Sequence, residues 1–282
     1  SVAGIVGARG NNGIGVTGVN WDVQLMVLDI RFVDQIIAAY NYVFEQRDRY
    51  NRSNGREGAF VVATNASFGQ NKTFCEEQPV WGGMYDLLGE VGVLSTACAA
   101  NNAWDIEVEG DMPTTCPSDY LLTVLNTNEA DERHQGSAYG QVSIDMGAPG
   151  QGSYTTKPFD AYGEFNGNSA AVPHLSGAIA ALYSLPCNTL AQSALDDPAA
   201  TARQIRQSLL EGVTLIPELE EYTATGGRLN LFRSMELVQD LCGGTTGTLD
   251  ILTLAPNPVH DELRVTFETP DFEPYEFRVY NL

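Results

Sequence analysis

The hydrophobic positions of the chain follow two periods, and these predict helices that alternate with strands. From Phe32 to Arg49 apolar residues recur three and four positions apart, which describes one face of an amphipathic helix. Residues 84–91 predict a second, shorter helix. Short apolar runs predict buried strands at residues 23–29, 58–63, 92–100, 120–125 and 142–146. This order indicates an α/β fold, with a mostly parallel sheet and helices on both of its faces.

One segment is apolar on nearly every side. Residues 170–185 have almost no polar position, so we expect a helix in the protein interior. Ordinary amphipathic helices are predicted later in the chain, at residues 199–210 and 229–241.

The pattern changes near the C-terminal end. Residues 242–248, with the sequence CGGTTGT, predict a flexible linker. Residues 249–282 then alternate apolar and polar positions, as half-buried strands do. We therefore predict a large domain over residues 1–241, a linker over 242–248 and a small β-sandwich-type element over 249–282.

The charge balance argues against some partners. The chain has 36 acidic and 15 basic residues among its 282, which gives a formal net charge of −21. Such a surface repels the phosphates of nucleic acids and anionic lipids. No stretch approaches the roughly 20 consecutive apolar residues of a membrane span. We therefore expect neither nucleic-acid binding nor membrane insertion.

The chain contains five cysteines, so at least one cannot pair within it. Cys98 lies in an apolar stretch and is expected to remain a reduced, buried thiol. The other four are predicted to form the disulfides Cys187–Cys242 and Cys75–Cys116. Two disulfides fit an oxidising compartment, and hence a secreted or cell-surface protein.

The segment FNGNSAAVPH leads directly into the predicted interior helix. A serine in the first turn of a helix lies near unpaired N–H groups and the positive end of the helix dipole. In this position Ser169 can act as a nucleophile, and its own N–H can help to bind a developing oxyanion. The alternative is that Ser169 only caps the helix.

This segment resembles the nucleophile segment of the subtilisin-like serine peptidases, in which Gly-Thr-Ser-x-x-x-Pro-His opens a central helix. Gly167, Ser169, Pro173 and His174 match that pattern, and Asn168 stands in place of the usual threonine. The resemblance implies the fold of that family, with Ser169 as the catalytic nucleophile.

Other segments resemble the same family in the same order along the chain. STACAANN resembles the strand that ends in the oxyanion asparagine, which implies a catalytic role for Asn102. VVATNASFG resembles the strand and loop that line the substrate cleft, and IDMGAPG resembles the turn that precedes the nucleophile. The resemblance implies that two short segments bind the substrate peptide, through Ser67, Phe68, Gly69, Ala99, Ala100 and Asn101.

The start of the chain resembles the helix that follows the catalytic histidine, where Ser1 matches the fourth position of His-Gly-Thr-His/Ser-Val-Ala-Gly. The catalytic histidine and aspartate are therefore expected before residue 1, in a longer precursor, and the 282-residue chain alone is expected to be inactive. No other histidine replaces the missing one. His174 lies about 140° around the helix from Ser169, His134 lies in a polar run and His260 lies in the tail.

These observations predict a secreted serine endopeptidase that cleaves proteins or peptides through an acyl-enzyme on Ser169. The alternative is a catalytically inactive subtilisin-like surface or binding module. An esterase is disfavoured because the chain has no G-x-S-x-G motif. No cofactor is expected to be required, and no metal ligand is assigned. The acidic run from Glu107 to Asp111 could hold structural calcium or could be a solvated face.

The tail sequence LDILTLAPNPVHDELRVTFE resembles the C-terminal sorting domain of the type IX secretion system of Bacteroidetes. The resemblance implies that the secretion machinery is a partner of the tail and that the domain is truncated here. The alternative is an unrelated small β-sandwich appendage.

Overall fold

A computed structural model describes residues 1–242, 250–255, 262–269 and 272–280. The chain forms two compact units, Ser1–Cys242 and Gly243–Leu282. In the first unit the helices are α1 (Val2–Gly7), α2 (Val33–Arg52), α3 (Pro79–Glu90), α4 (Ile106–Glu109), α5 (Asn168–Tyr183), α6 (Asn188–Asp196), α7 (Pro198–Glu211) and α8 (Leu231–Leu241). The strands of this unit are β1 (Ala63–Ala66), β2 (Gln70–Asn71), β3 (Leu94–Cys98), β4 (Asp111–Met112), β5 (Leu121–Thr127), β6 (Met146–Pro149), β7 (Ser153–Lys157), β8 (Ala161–Phe165), β9 (Thr214–Leu215) and β10 (Gly227–Arg228).

The central sheet has the strand order β1-β3-β5-β6-β10-β9. All neighbouring strands are parallel except β9, which is antiparallel to β10. Consecutive residues of β3 and β5 enter two different hydrophobic clusters: Cys98 and Leu122 belong to one, and Ala97 and Leu121 belong to the other. The sheet is therefore covered on both faces, which confirms the predicted α/β fold.

Helix α5 lies against the central strands and forms the middle of one of these clusters. Val172, Leu175 and Ile179 are fully buried there, and the helix packs against β1, β3, β5 and β6. This confirms the expected interior helix. Parallel strands end at the same edge of a sheet, so the N-terminus of α5 lies near the carboxyl ends of β1, β3, β5 and β6.

The apolar run at residues 23–29 is not a buried strand, so this prediction was wrong. The segment is irregular and largely exposed, and the side chain of Val27 is 83% exposed. A strand needs a neighbour for its N–H and C=O groups. No strand pairs with this segment among the residues that the structure describes.

Two other predicted strands begin later than expected. The strand predicted at residues 58–63 begins only at Ala63. The strand predicted at residues 142–146 begins at Met146. The reason is visible in the second case, because the N–H groups of Val142 and Ser143 donate to the carboxylate of Glu107.

The cysteines pair as predicted. Cys75 is bonded to Cys116 and Cys187 to Cys242, with Cα–Cα distances of 4.9 and 5.8 Å. Cys98 is a buried free thiol on β3. The first disulfide joins the segment before α3 to the loop after β4, and the second joins the segment after α5 to the end of α8.

The second unit contains β11 (Asp250–Ala255), β12 (Glu262–Thr269) and β13 (Phe272–Tyr280), which form an antiparallel sheet in that order. Nearly all of the predicted linker at residues 242–248 lies outside the described residues. The Pro-Asn-Pro motif at residues 256–258 and the histidine at position 260 lie outside them as well.

Within the described part of the chain, no single helix has the length and apolar character needed to cross a membrane. Helices α5 and α6 meet these two criteria only when taken together, and they are bent by 105° relative to each other.

Candidate active site

Ser169 is the second residue of α5, at the carboxyl edge of the sheet. Gly167 precedes the helix with φ = +88°, a conformation that glycine adopts without strain. A Cβ atom at this position would also lie only 2.8 Å from Oδ1 of Asn101. The glycine therefore permits the sharp entry into α5 that places Ser169 beside the ends of β1 and β3.

Two serines at this edge, Ser67 and Ser169, form two hydrogen bonds with each other. The hydroxyl of Ser169 donates to the carbonyl of Ser67 at 3.3 Å, and the hydroxyl of Ser67 donates to the carbonyl of Ser169 at 3.0 Å. The second bond has a cause in the sequence. In a regular helix the carbonyl of Ser169 would accept from the N–H of residue 173, but Pro173 has none. The hydroxyl of Ser67 replaces that missing donor.

Asn101 contacts the nucleophile segment directly. Its Oδ1 accepts from the backbone N–H of Asn168 at 2.9 Å and from Nδ2 of Asn168 at 3.2 Å. Asn101 and Asn102 are both exposed, and the described contact of Asn102 is a backbone one, from the N–H of Trp104 to its carbonyl at 2.8 Å. The structure thus brings Asn101 to the residue before Ser169, and not Asn102.

The first predicted substrate segment follows β1. The ring of Phe68 stacks on Trp81, with 6.2 Å between the ring centroids. Gly69 lies against the carbonyl of Met112, where a side chain would clash. Among the described residues the backbone N–H groups of Phe68 and Gly69 make no hydrogen bond. Consecutive N–H groups of an extended chain point to opposite sides, so one of the two can pair with an added strand.

The second predicted substrate segment follows β3, and the protein itself uses much of its backbone. The N–H of Ala99 donates to the carbonyl of Val124 at 3.0 Å. The N–H of Ala100 donates to Oδ2 of Asp111, also at 3.0 Å. The carbonyl of Ala100 accepts from Ala138 and from Asn168. Few backbone N–H and C=O groups of Ala99 and Ala100 are therefore available to bind a substrate peptide.

Asp111 binds the segment that follows β3, because its carboxylate accepts from the N–H of Ala100. It is 2% exposed, and its Oδ2 also accepts from the hydroxyl of Thr114 at 2.8 Å. Burial raises the pKa of its carboxyl group to about 6, although the bonds from Thr114 and Ala100 lower it. Burial likewise raises the pKa of the Cys98 thiol to about 12, with the charge of Asp111 as the second cause. Cys98 is therefore a neutral thiol at neutral pH.

Neither described histidine is hydrogen-bonded to Ser169, whose hydroxyl donates to the carbonyl of Ser67. The Nδ1 atom of His174 lies 2.9 Å from the carbonyl of Ala170, and burial lowers the pKa of the ring, so it is neutral. The Nδ1 atom of His134 accepts from the N–H of Gly136. The catalytic histidine and aspartate expected before residue 1 stay predictions.

The acidic run at residues 107–111 is not one cluster. Glu107 accepts from Val142 and Ser143, Glu109 pairs with Lys72, and Asp111 is buried. No group of three or more histidine, cysteine or acidic residues suited to a metal ion is found among the described residues. The structure therefore assigns no ligand set to the calcium ion that the sequence left open.

Three polar residues of this edge were not singled out from the sequence as parts of the site. Asp111 lies in a charge run, Asn126 closes an apolar strand, and Asn168 replaces the family threonine. For Asn126 the sequence offers a signal, namely a polar residue at the end of a buried strand, because the ends of parallel strands meet at this edge.

These features define a class, namely an α/β protein with a nucleophilic serine candidate at the N-terminus of a buried helix. The family model described as "Subtilase family" matches residues 1–226. The chain therefore belongs to the subtilase family of serine peptidases.

Individual relatives agree with this assignment. Subtilisin-like protease 1 of Plasmodium vivax is 26% identical over 257 residues, which is 85% of this chain and 37% of that protein. Thermitase of Thermoactinomyces vulgaris is 26% identical over 192 residues, or 64% of this chain and 59% of thermitase. The chain thus spans less than two thirds of the length of these relatives.

Solved structures share the fold. The self-cleaved protease domain of PatA has a TM-score of 0.63 and 22% identity, over 85% of this chain and 82% of that chain. A protease of Pseudoalteromonas arctica has a TM-score of 0.65 and 18% identity, over 84% and 69%.

The bond from Ser67 to the carbonyl of Ser169 can be tested through its dependence on Pro173. Ser67→Ala should lower the free energy of unfolding by about 1 kcal/mol, because the partly buried carbonyl of Ser169 loses its donor and Nδ2 of Asn65 loses its acceptor. In a Pro173→Ala background the new N–H at position 173 can donate instead, so the same substitution should cost less. Urea denaturation of the four proteins measures both costs. Equal costs in the two backgrounds would contradict this explanation.

Proposed function

We propose that this chain provides the nucleophile and the oxyanion site of a secreted serine endopeptidase. The observation that carries the proposal is the position of Ser169 at the N-terminus of α5, with its hydroxyl at the edge where β1 and β3 end. The membership of the subtilase family supports the same chemistry.

The reaction would follow the acyl-enzyme route of serine peptidases. Ser169 Oγ would attack the carbonyl carbon of the scissile peptide bond while a histidine takes the hydroxyl proton. That proton would pass to the leaving amine as the C–N bond breaks, and water would then hydrolyse the ester. The histidine and its orienting aspartate would come from residues outside this sequence, because neither described histidine is hydrogen-bonded to Ser169.

The substrate would be a protein or peptide in an extended conformation. The free N–H groups of Phe68 and Gly69 support pairing with such a strand, which is a general mode of peptide recognition. Ala99 and Ala100 would contribute mainly as the opposite wall of the cleft, because their backbone groups are largely engaged within the protein.

The oxyanion would be held by the N–H of Ser169 and by one asparagine side chain. The sequence predicts Asn102 for this role, but the contacts favour Asn101. Both donors that bond to the Oδ1 atom of Asn101 come from Asn168. The NH₂ group of Asn101 consequently remains as the free donor beside the nucleophile.

Secretion is supported by two disulfides, which persist in oxidising compartments. We propose that residues 249–282 act as a type IX sorting domain, on the basis of the motif that opens this segment. The antiparallel strands β11–β13 are compatible with a small β domain.

The nucleophile can be tested with a fluorophosphonate probe on the gene product that carries this sequence. We expect the probe to label Ser169 and peptide hydrolysis to be lost in Ser169→Ala. Ser184→Ala, at the exposed far end of α5, is the matched control and should remain active. The 282-residue chain alone should neither react nor hydrolyse peptides. A folded gene product that does not react would instead support the inactive binding module.

The oxyanion donor can be identified by comparing two adjacent alanine variants. Asn101→Ala should lower kcat by about 10²–10³-fold, which is typical for the loss of one oxyanion donor. Asn102→Ala should lower it by less than about 3-fold, a difference of under 1 kcal/mol in activation free energy. KM should change little in either variant. The reverse order of effects would return the role to Asn102.

The role of the tail can be tested by removing residues 249–282 from the gene product. In a bacterium with a type IX system, we expect the truncated protein to remain in the periplasm while the intact protein reaches the medium or the cell surface. Immunoblots of the separated fractions measure this. Equal export of both proteins, or equal export from a strain without the system, would show that the tail is only an appendage.

A further inference from the structure

The residue before the candidate nucleophile has an unusual environment. Asn168 is 0% exposed, although its side chain is polar, and it occupies the position where the family motif has threonine. A buried carboxamide is stable only when its donors and acceptors have partners. The buried carboxamide of Asn168 must therefore have hydrogen-bond partners within the protein.

The carboxamide of Asn168 is satisfied at both ends. Its Oδ1 accepts from the N–H of Asn126 at 2.6 Å and from the hydroxyl of Ser137 at 2.8 Å. Its Nδ2 donates to the carbonyl of Ala100 at 2.8 Å and to Oδ1 of Asn101 at 3.2 Å. One side chain thus joins the end of β5 and the loop after it to the segment that follows β3.

These contacts fix the orientation of Asn101 as well as its position. The side-chain oxygen of Asn101 receives two donors from Asn168, namely the backbone N–H and Nδ2. An NH₂ group in that place would meet two other donors, so the oxygen must face Asn168. The remaining NH₂ group of Asn101 is then directed away from Asn168.

Threonine cannot make the same set of bonds. Its single hydroxyl has one donor and reaches less far than a carboxamide, so it cannot bridge the ends of two strands in opposite directions. The environment is also specific to an amide, because acceptors lie on one side of Asn168 and donors on the other.

We propose that Asn168 is a positioning residue that sets the geometry between the nucleophile Ser169 and the oxyanion donor Asn101. It does so by binding Asn101, Ala100 and the backbone of Asn126 from a point one residue before Ser169. This inference rests on the proposed function, since it assigns Asn168 a role in that same reaction. Asn168 itself does not touch the substrate.

The first variant is Asn168→Thr, which restores the residue that the family motif has at this position. It retains the backbone N–H bond to Oδ1 of Asn101 but loses the bond from Nδ2 and the bridge to Ala100 and Asn126, so the position of Asn101 relative to Ser169 should be less well fixed. In the gene product we expect kcat to fall by about 10-fold or more while KM changes by less than about 2-fold, because the loss affects only the transition state. The concentration of active sites is determined by titration with the fluorophosphonate, so unfolded protein does not count.

A double-mutant cycle separates positioning from a general structural role. If Asn168 acts through Asn101, Asn168→Thr should lower kcat by less than about 3-fold in an Asn101→Ala background. Ser137→Ala removes one bond to Oδ1 of Asn168 without changing α5, and it should lower kcat by a smaller factor than Asn168→Thr. Asn128→Thr, just beyond β5 and outside this network, is the matched control and should leave kcat unchanged.

The possible results are distinct. A wild-type gene product that neither reacts with the probe nor hydrolyses peptides would contradict the proposed function, and this inference with it. An active wild type with an unchanged kcat in Asn168→Thr would contradict the inference alone. Losses from Asn168→Thr and Asn101→Ala that simply multiply would also overturn it, because Asn168 would then act independently of Asn101.

Discussion

The burial of helix α5 against the parallel strands is the constraint on which the rest of the first unit depends. A helix that is apolar on all sides must be enclosed, and α5 is covered by β1, β3, β5 and β6 on one side and by α1 and α8 on others. Its N-terminus then has to lie at the carboxyl edge of the sheet, with Ser169 in its first turn. The candidate site is consequently a product of the main packing interaction of the fold, and not of a separate loop.

Backbone groups at the carboxyl edge of the sheet need hydrogen-bond partners where they are buried. The first turn of a helix and the ends of strands carry backbone groups without regular partners, and these are costly to bury unpaired. Side chains provide the partners here. Ser67 donates to the carbonyl that Pro173 leaves free, Asp111 accepts from Ala100, and Asn168 binds groups on both neighbouring strands. The same bonds that satisfy the edge also define the distances within the site.

Residues beyond the candidate site connect the segments that flank it. The Cys75–Cys116 disulfide connects the segment before α3 with the loop after β4, and it packs closely against Gly82 of α3. Strand β4 carries Asp111, and it pairs with β2 directly after Gly69. The segment after β1 and the segment after β3 are therefore connected to each other through β2, β4 and Asp111.

The sequence alone was sufficient for features that depend on local pattern. Apolar periodicity predicted α2 and the interior helix α5, and the motif around Ser169 indicated the family. The cysteine pairs followed from their places between predicted elements. The tertiary structure was needed to show that Asn101, and not Asn102, binds the residue before Ser169, and that residues 23–29 form no strand in the described sheet. It alone showed that Asn168 joins two strand ends and that Asp111 is buried.

The reason is physical, because periodicity reports which face of a segment avoids water. Hydrogen-bond partners in the site are supplied by segments up to 102 residues away along the chain, and no local pattern specifies them.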